Sequence, residues 1–242
     1  MSTPFSDITL YAETQYLPGS PEYWQERALQ NYISDLYISK MYGYKPPNTT
    51  RVSIDPSYYK IWDRTWTDGS LKLIATEFIY QKYLSLNQQE KYQYFLDTIH
   101  NCMLQLSNEY SWDNSVFERA YTEVIESKFK FRIDYPFKTS RDKKKSAKLY
   151  IEKTDLVTSL YVTFLIEDKS QTIKLFDKRN WWWYDSIYKL VRTNKWFDND
   201  RFGIYHKPLD WKVWYSLKDR KIVFEKDNGL HDNMNIDELF KF

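Results

Sequence analysis

The stretch Asn87–Lys128, NQQEKYQYFLDTIHNCMLQLSNEYSWDNSVFERAYTEVIESK, carries the clearest structural pattern in the chain. Asn87 stands three residues before Glu90, the spacing of a capping box, and this predicts the start of a helix. Ser115 and Glu118 repeat that spacing and predict the start of a second helix. Apolar residues recurring three and four apart predict one buried stripe in each helix: Tyr92, Phe95, Leu96, Ile99, Met103, Leu104 and Leu106, then Val116, Phe117, Ala120, Tyr121, Val124 and Ile125. The stretch therefore predicts two antiparallel helices joined by a short polar turn.

The residues before this pair predict short strands and one long helix. Alternation over Asp7–Glu13 indicates a short strand, and Arg51–Ile54 indicates another. Ser20 and Pro21 supply an N-cap and a first-turn proline, and they predict a helix that runs up to Gly43. Its predicted buried stripe is Trp24, Ala28, Tyr32, Ile33, Leu36, Tyr37 and Met41.

Helical and strand patterns compete between Tyr58 and Tyr80. The pair Asp68-Gly69 favours a β-hairpin, because Asp-Gly is preferred in tight hairpin turns. The predicted strands of this hairpin contain Tyr58, Lys60, Trp62, Arg64 and Trp66 before the turn, and Leu71, Leu73 and Ala75 after it.

The residues after the helix pair predict an antiparallel sheet. Phe129–Tyr135 alternates ring or aliphatic side chains with charged ones, the period of a strand with one buried face. Strands are also predicted at Val157–Ile166 and Gln171–Phe176, and a further hairpin at Trp211–Tyr215 and Lys221–Phe224.

Six basic residues mark Lys138–Lys148 as a solvated loop and as the best seam in the chain: Lys138, Arg141, Lys143, Lys144, Lys145 and Lys148. Together these patterns predict an α+β fold, with a helix-rich N-terminal half that contains a β-hairpin, a central helix pair and an antiparallel sheet in the C-terminal half. We expect a single domain over residues 1–242, and two lobes that meet near residues 138–148 are the alternative.

The composition departs from the average in its aromatic residues. The chain has 10 Trp, 22 Tyr and 14 Phe in 242 residues, so rings must supply much of the core, and some must reach the surface. The net charge of +2 gives no overall field that would attract nucleic acid or an anionic membrane. No glycine-rich phosphate loop is present among the 5 glycines, so no nucleotide cofactor is expected from such a loop.

The N-terminal residues lack the pattern of a signal peptide, and no apolar stretch reaches the roughly 20 residues that span a bilayer. We therefore expect a cytoplasmic protein with no membrane partner. Cys102 is the single cysteine and lies beside an apolar stripe, which predicts a buried, inert thiol.

The chain shows no spacing of residues that is specific to one reaction. His100, His206 and His231 lie far apart without the spacing of a zinc motif, and we expect neither a metal site nor a cofactor. A structural or solvent-edge role is the preferred interpretation of His100.

One arrangement of carboxylates resembles the D…E-x-K core of PD-(D/E)xK nucleases. Asp155 precedes an apolar strand, and Glu167 and Lys169 follow that strand. The resemblance implies that the two carboxylates bind a metal ion and that the lysine polarises the attacking water, with Glu118 and Glu123 available from a preceding helix. The Pro-Asp of the family motif is missing and acid-x-lysine spacing recurs elsewhere in the chain, so a solvated turn is the preferred interpretation.

A run of cations and rings begins at Lys178, and the segment Asn180–Val191 that follows predicts a helix. Its predicted partner-binding residues are Arg179, Trp181, Trp182, Trp183, Tyr184, Lys189 and Arg192. Rings among cations bind single-stranded nucleic acid or form protein hot spots. Three consecutive tryptophans cannot all face one way, so one or two of them are expected in the core. Because the net charge is nearly balanced, a protein partner is favoured over nucleic acid.

These observations make a cytoplasmic, non-enzymatic protein-binding module the leading hypothesis, of the immunity or inhibitor type that occludes a partner. A Mg²⁺-dependent nuclease of the PD-(D/E)xK kind and a nucleic-acid-binding module are the alternatives.

Overall fold

A computed structural model of the chain describes residues 5, 7–56, 65–180, 187–226, 229–231 and 236–239. Helices and sheets are both present, so the predicted α+β class is confirmed. The described residues divide into two compact units, the first ending at Phe131 and the second beginning at Arg132.

The first unit contains a four-stranded mixed sheet. Its strands are β1 (Asp7–Leu10), β2 (Arg51–Ile54), β3 (Thr65–Asp68) and β4 (Leu71–Ile74), in the order β1-β2-β4-β3. The strands β1, β2 and β4 run parallel, and β3 is antiparallel to β4. The predicted helix-rich N-terminal half is therefore confirmed only in part, because four strands also lie there.

The predicted hairpin before residue 80 is confirmed by β3 and β4. Asp68 pairs with Leu71, which makes Gly69 and Ser70 the two turn residues. Gly69 has φ +56, a conformation that glycine adopts without steric cost. The predicted strand residues Tyr58, Lys60, Trp62 and Arg64 lie outside the described residues.

Four helices accompany this sheet: α1 (Pro21–Ser39), α2 (Tyr80–Leu84), α3 (Gln88–Tyr110) and α4 (Asn114–Glu126). The predicted N-cap of α1 is confirmed, because Ser20 accepts a hydrogen bond from the backbone N–H of Tyr23. The capping box of Asn87 and Glu90 is also confirmed at the start of α3.

The predicted second capping box is wrong. Helix α4 begins before Ser115, and its N-cap is Asp113, whose side chain accepts from the backbone N–H of Ser115. Because the Asp113 carboxylate accepts from this N–H, Asp113 caps the helix two residues before the predicted cap, Ser115. Glu118 therefore lies beyond the first turn of the helix.

The apolar stripes of the helix pair are largely buried as predicted. Their fully buried members are Phe95, Leu96, Ile99, Met103, Leu106, Phe117, Ala120 and Val124. Ile125 is exposed, and so is Trp24 on α1, although both were predicted to be buried.

The boundary between the units falls after the first residue of β5 (Phe131–Asp134). The rest of β5 belongs to a five-stranded sheet of the second unit with β6 (Lys138–Thr139), β7 (Lys145–Lys153), β8 (Val157–Ile166) and β9 (Lys169–Arg179). Strand β7 pairs with β8 on one side and with β5 and β6 on the other, and β9 pairs with β8. The predicted strands β8 and β9 are thus confirmed, and β9 is longer than predicted.

The predicted loop at Lys138–Lys148 is wrong at both of its ends. Lys138 and Thr139 pair with Ala147 and Ser146, so only residues 140–144 form the turn. Ala147, Leu149 and Ile151 are buried and alternate with side chains on the other face of β7. This strand pattern extends into the basic segment, so Lys145 and Lys148 belong to β7 and not to a loop.

The remaining elements are α5 (Ile187–Val191), β10 (Lys195–Trp196), β11 (Arg201–His206), a short 3-10 helix (Lys207–Leu209), β12 (Trp211–Ser216), β13 (Lys221–Lys226), β14 (Gly229–His231) and α6 (Ile236–Leu239). Strands β10 to β14 form an antiparallel sheet in chain order, and the predicted hairpin of β12 and β13 is confirmed. Of the helix predicted over Asn180–Val191, the described part is α5, and residues 181–186 lie outside the described residues. Both sheets of this unit contribute to one core, which includes Leu149, Ile151, Leu160, Val162, Phe164, Phe202, Ile204 and Trp211.

Candidate functional site

The carboxylates that resemble a nuclease core lie far apart. Asp155 precedes β8, whereas Glu167 and Lys169 follow it, so they occupy opposite ends of a ten-residue strand. Such a strand is about 30 Å long. Ligands of a Mg²⁺ ion lie about 2 Å from it, so Asp155 and Glu167 cannot share one ion.

The Glu167 segment has the geometry of a hairpin turn. Glu167 and Asp168 have φ of 48° and 63°, and two consecutive positive φ values are what a two-residue turn between β8 and β9 requires. Across the described ranges, no group of three or more His, Cys, Asp or Glu side chains is placed to hold a metal ion.

The predicted partner-binding segment is described only at its two ends. Trp181, Trp182, Trp183 and Tyr184 lie outside the described residues, so their role stays a prediction. Arg179 ends β9, where its Nε lies 3.7 Å from Oδ2 of Asp237 and its backbone N–H donates to Oδ1 of the same carboxylate. Lys189 and Arg192 are exposed on α5 and directly after it.

The outer face of the β5–β9 sheet carries a row of cations and rings from four strands. The guanidinium of Arg132 lies 3.8 Å from the centre of the Tyr150 ring, which stacks on Tyr161 at 4.8 Å and 7°. Lys174 lies 5.8 Å from the centre of the Tyr161 ring. Because Arg132 and Tyr161 cover the two faces of Tyr150, this ring is not available to stack on a nucleic-acid base.

The charges on this outer face are paired. Asp134 lies 2.6 Å from both the Arg132 and the Lys148 side chains. The hydrogen bond from Arg132, together with that from Lys148, lowers the pKa of Asp134 to about 2. Lys174 in turn pairs with Asp177 at 3.0 Å. Arg132 also lies 3.2 Å from Glu152. The three cations of these pairs thus face three carboxylates, and the pairs leave no excess of cations for phosphates.

A buried polar network joins α1, α3 and α4 in the first unit. The Tyr37 hydroxyl and Nδ1 of His100 lie 3.0 Å apart, and Nε2 of His100 lies 3.5 Å from Oε2 of Glu118. The His100 ring stacks on Tyr121 at 4.3 Å. Burial lowers the pKa of His100, and Glu118 opposes this shift. Because Tyr37 is fully buried, we interpret the network as structural.

Cys102 of α3 is buried, as predicted from its place beside the apolar stripe. Burial raises the pKa of its thiol to about 12. The reactive thiolate is therefore scarce near neutral pH, which fits an inert thiol.

The carboxyl ends of the parallel strands β1, β2 and β4 meet at one edge of the first unit's sheet. Ligands of open α/β sheets bind beyond this end of the strands, which makes the edge a candidate site. Three segments lie there, and we call residues 11–17, 20–27 and 79–84 together the aromatic edge.

Specific contacts join these segments. The backbone N–H of Gln15 donates to the Tyr80 hydroxyl at 2.7 Å. Nη1 of Arg27 donates to the carbonyl of Ala12 at 3.1 Å. The Arg27 guanidinium also lies 5.2 Å from the Tyr23 ring and 5.9 Å from the Tyr11 ring.

Large apolar side chains remain exposed at the aromatic edge. Leu17 is 80% exposed, Trp24 is 42% exposed, and Ile79 is also on the surface. Sequence patterns missed this surface because Trp24 fits the buried stripe of α1. The available signal was the group of rings from the end of β1 into the first turns of α1, since so short a segment cannot bury them all: Tyr11, Tyr16, Tyr23 and Trp24.

Comparison with known proteins adds no functional assignment. No protein-family model matches the chain, and no curated protein or solved structure matches it. Within the part of the chain that the structure describes, no helix combines the length and the apolar character needed to cross a membrane.

Proposed function

We propose that this chain is a non-enzymatic, cytoplasmic protein-binding module of the immunity or inhibitor type, and that its partner docks on the aromatic edge. The observation that carries the proposal is the exposure of Leu17 and Trp24 on an edge where the Arg27 guanidinium also lies over two tyrosine rings. Trp, Tyr and Arg dominate the hot spots of protein interfaces, and exposed Leu and Ile side chains supply apolar area around them.

The contacts of the aromatic edge favour a preorganised surface. Arg27 is fixed by the Ala12 carbonyl and by Oε1 of Gln30, and Gln15 is fixed by Tyr80. Side chains that are already ordered lose less conformational freedom when a partner binds, so more of the contact energy remains for affinity.

The charges of the aromatic edge favour a protein over nucleic acid. Glu13 and Glu22 expose carboxylates there, against the exposed ammonium group of Lys82. Such a surface lacks the excess of cations that phosphate binding needs. The paired charges on the outer face of the β5–β9 sheet favour the same choice.

The segment with Trp181, Trp182, Trp183 and Tyr184 stays a second predicted contact surface, flanked by Arg179, Lys189 and Arg192.

The salt dependence of binding tests this function. The partner is isolated from a lysate of the native host, and its affinity is measured at about 50 and about 200 mM salt. We expect a change of only about threefold, because a contact centred on buried rings releases few counterions. A labelled single-stranded DNA and an RNA serve as comparison ligands. Tight binding of either one, weakened about fiftyfold or more over this range, would replace the proposal with nucleic-acid binding.

The nuclease alternative needs its own assay. The purified chain is incubated with DNA and RNA in the presence of Mg²⁺, and we expect no cleavage because Asp155 and Glu167 lie at opposite ends of β8. Cleavage that Glu167→Ala abolishes would show that this chain is an enzyme.

A further inference from the structure

Three connections between strands lie next to one another at one end of the second unit. They are the turn before β7, the loop from β10 to β11 and the turn from β12 to β13. We call them together the basic tip, which comprises residues 140–145, 198–201 and 217–220.

Hydrogen bonds hold the three connections of the basic tip side by side. The backbone N–H of Asp142 donates to Oδ1 of Asn199 at 3.2 Å, and the Lys145 ammonium group donates to the Asn199 carbonyl at 2.9 Å. The backbone N–H of Leu217 donates to the carbonyl of Asp200 at 2.8 Å. The middle loop is therefore bonded to the turn on each side of it, and the basic tip is one continuous surface.

Positive charge is concentrated at this end of the second unit. The basic tip contains seven basic and four acidic residues, an excess of three cations. The turn between β8 and β9 adjoins it, because Lys145 pairs with Ile166, and adds Glu167, Asp168 and Lys169. The excess of two cations that remains is as large as the net charge of the whole chain, +2.

The four carboxylates of the basic tip are engaged with neighbouring groups. Asp142 and Asp219 each accept a hydrogen bond from the hydroxyl of a nearby serine, at 2.6 and 2.8 Å. The other two carboxylates form ion pairs: Asp200 with Lys145 at 2.6 Å, and Asp198 with Arg201 at 2.6 Å.

Five cations of the basic tip have no such partner. Their side chains are exposed, and none of them forms an ion pair or a hydrogen bond with another residue of the described chain: Arg141, Lys143, Lys144, Lys218 and Arg220. Lysine and arginine side chains are long, whereas the aspartates are short and are held near the backbone of the turns. The outermost layer of the basic tip is therefore positive.

We propose that the basic tip binds an extended acidic segment of a protein, rich in Asp and Glu. The five cations without a carboxylate of their own supply the charge complementarity that attracts such a segment and fixes its position. An extended peptide of eight residues is about 26 Å long, so a short segment reaches cations of both turns.

The groups around these cations favour a protein segment over nucleic acid. Glu167 and Asp168 expose carboxylates at the border of the basic tip. Nucleic acid carries a phosphate at every nucleotide and would place phosphates against them, whereas a protein segment can place a neutral or basic residue there. The basic tip also contains no aromatic residue on which a base could stack.

The basic tip belongs to the second unit and the aromatic edge to the first. The proposal therefore goes beyond the proposed function and does not rest on it. Synthetic probes test the basic tip without the co-purified partner, so the failure of one proposal leaves the other standing.

Three probes of the same length class test the chemistry of the partner. A capped peptide of four Glu-Gly repeats, the same peptide with Gln in place of Glu, and a thymidine oligonucleotide with four phosphates are titrated into the ¹⁵N-labelled full chain at about 50 mM salt. We expect the Glu peptide to shift the backbone N–H signals of the basic tip and to bind at least about tenfold more tightly than the Gln peptide.

Two outcomes of these titrations would overturn the proposal. Equal dissociation constants for the Glu and Gln peptides would show that the basic tip is only a solvated surface. Tighter binding of the oligonucleotide than of the Glu peptide would assign the basic tip to nucleic acid instead.

A matched pair of double variants separates the basic tip from the overall charge. Lys144→Gln with Lys218→Gln removes one cation from each turn of the basic tip. Lys130→Gln with Lys207→Gln removes two exposed lysines elsewhere and changes the net charge by the same amount. We expect the Glu peptide to bind at least about fivefold more weakly to the first double variant and less than about twofold more weakly to the second. Equal losses in both would show that net charge alone attracts the peptide, which contradicts the proposal.

Discussion

His100 shows how one titratable side chain ties three helices together. It shares a polar contact with Tyr37 of α1, faces Glu118 of α4 and stacks on Tyr121. Spacing favours a structural or solvent-edge role for His100, because no zinc motif surrounds it and Cys102, two residues away on the same helix, cannot face it. Its contact with Tyr37 spans 63 residues and leaves no trace in local periodicity.

The His100 network makes stability depend on pH. Burial lowers the pKa of His100 below its ordinary value of 6.5, so the unfolded chain binds a proton more readily than the folded one. The contribution of His100 is therefore complete above pH 6.5 and is lost as the pH falls below that value and through the lower pKa of the folded state. We expect the urea midpoint to fall between about pH 7.5 and about pH 5.5, and to fall less in His100→Gln. An equal fall in both proteins would contradict this role of His100.

Gly203 of β11 is required because the backbone of β12 passes directly beside it. A Cβ atom at this position would lie 1.9 Å from the carbonyl oxygen of Val213 and 2.5 Å from Cα of Trp214. Both atoms belong to backbone, which cannot move without separating the paired strands. We expect Gly203→Ala to lower the free energy of unfolding by about 3 kcal/mol in urea melts.

Gly69 provides the control for this substitution. Nothing lies within 4 Å of its Cβ position, and only its φ of +56° opposes a side chain. Gly69→Ala should therefore lower the free energy of unfolding by only about 1 kcal/mol. A loss from Gly203→Ala no larger than this would mean that β11 and β12 are further apart than described.

At the scale of elements, helix α1 shows where periodicity succeeds and where it fails. Its start at Ser20 and Pro21 is predictable, because capping and first-turn chemistry are local. The buried face of α1 is less predictable, because Trp24 is exposed whereas Glu26 and Gln30 are buried. The sheet lies against one side of α1 and other helices against another, so most of its circumference is buried and polarity no longer marks the outer face.

The sheets show a similar limit. The hairpins of β3–β4, β8–β9 and β12–β13 are predictable from alternation and from short turns. The parallel pairing of β1, β2 and β4 is not predictable, because it joins distant residues: Asp7 pairs with Arg51, 44 positions away, and Arg51 with Leu71, 20 positions away. Sequence patterns therefore predict strands but do not place them side by side, and the aromatic edge depends on that placement.

Helix α4 allows the two capping assignments to be compared directly. Asp113→Ala should lower the free energy of unfolding by about 1 kcal/mol, because the Asp113 carboxylate satisfies the backbone N–H of Ser115. Ser115→Ala should cost less than about 0.5 kcal/mol, since it removes one exposed hydrogen bond from the Ser115 hydroxyl to the Asp113 carboxylate and leaves the cap itself in place. Urea melts of both variants decide between the two assignments, and the reverse order of losses would restore Ser115 as the N-cap.

At the scale of the whole molecule, composition favours a kind of partner but gives no location for its binding surface. Surplus aromatic residues and a balanced charge favour a protein partner, and the sequence pattern indicates only the tryptophans after Arg179 as its contact surface. The aromatic edge was missed because it is assembled from residues 11–17, 20–27 and 79–84, which only the fold brings together. The nuclease resemblance failed for the converse reason, since an extended strand separates residues that are close in sequence.

Docking on the aromatic edge is tested most directly by one matched pair of substitutions. Leu17→Asp places a charge on the aromatic edge, where the Leu17 side chain is 80% exposed. Leu230→Asp places a charge on β14, where the Leu230 side chain is 70% exposed. The affinity of the co-purified partner is measured for both variants and for the unaltered chain by calorimetry. We expect Leu17→Asp to weaken the complex by about thirtyfold, or about 2 kcal/mol, and Leu230→Asp to change it by less than about threefold. An affinity of Leu17→Asp within about threefold of the unaltered chain, with a large loss in Trp182→Ala, would contradict docking on the aromatic edge and assign the partner to the tryptophan segment.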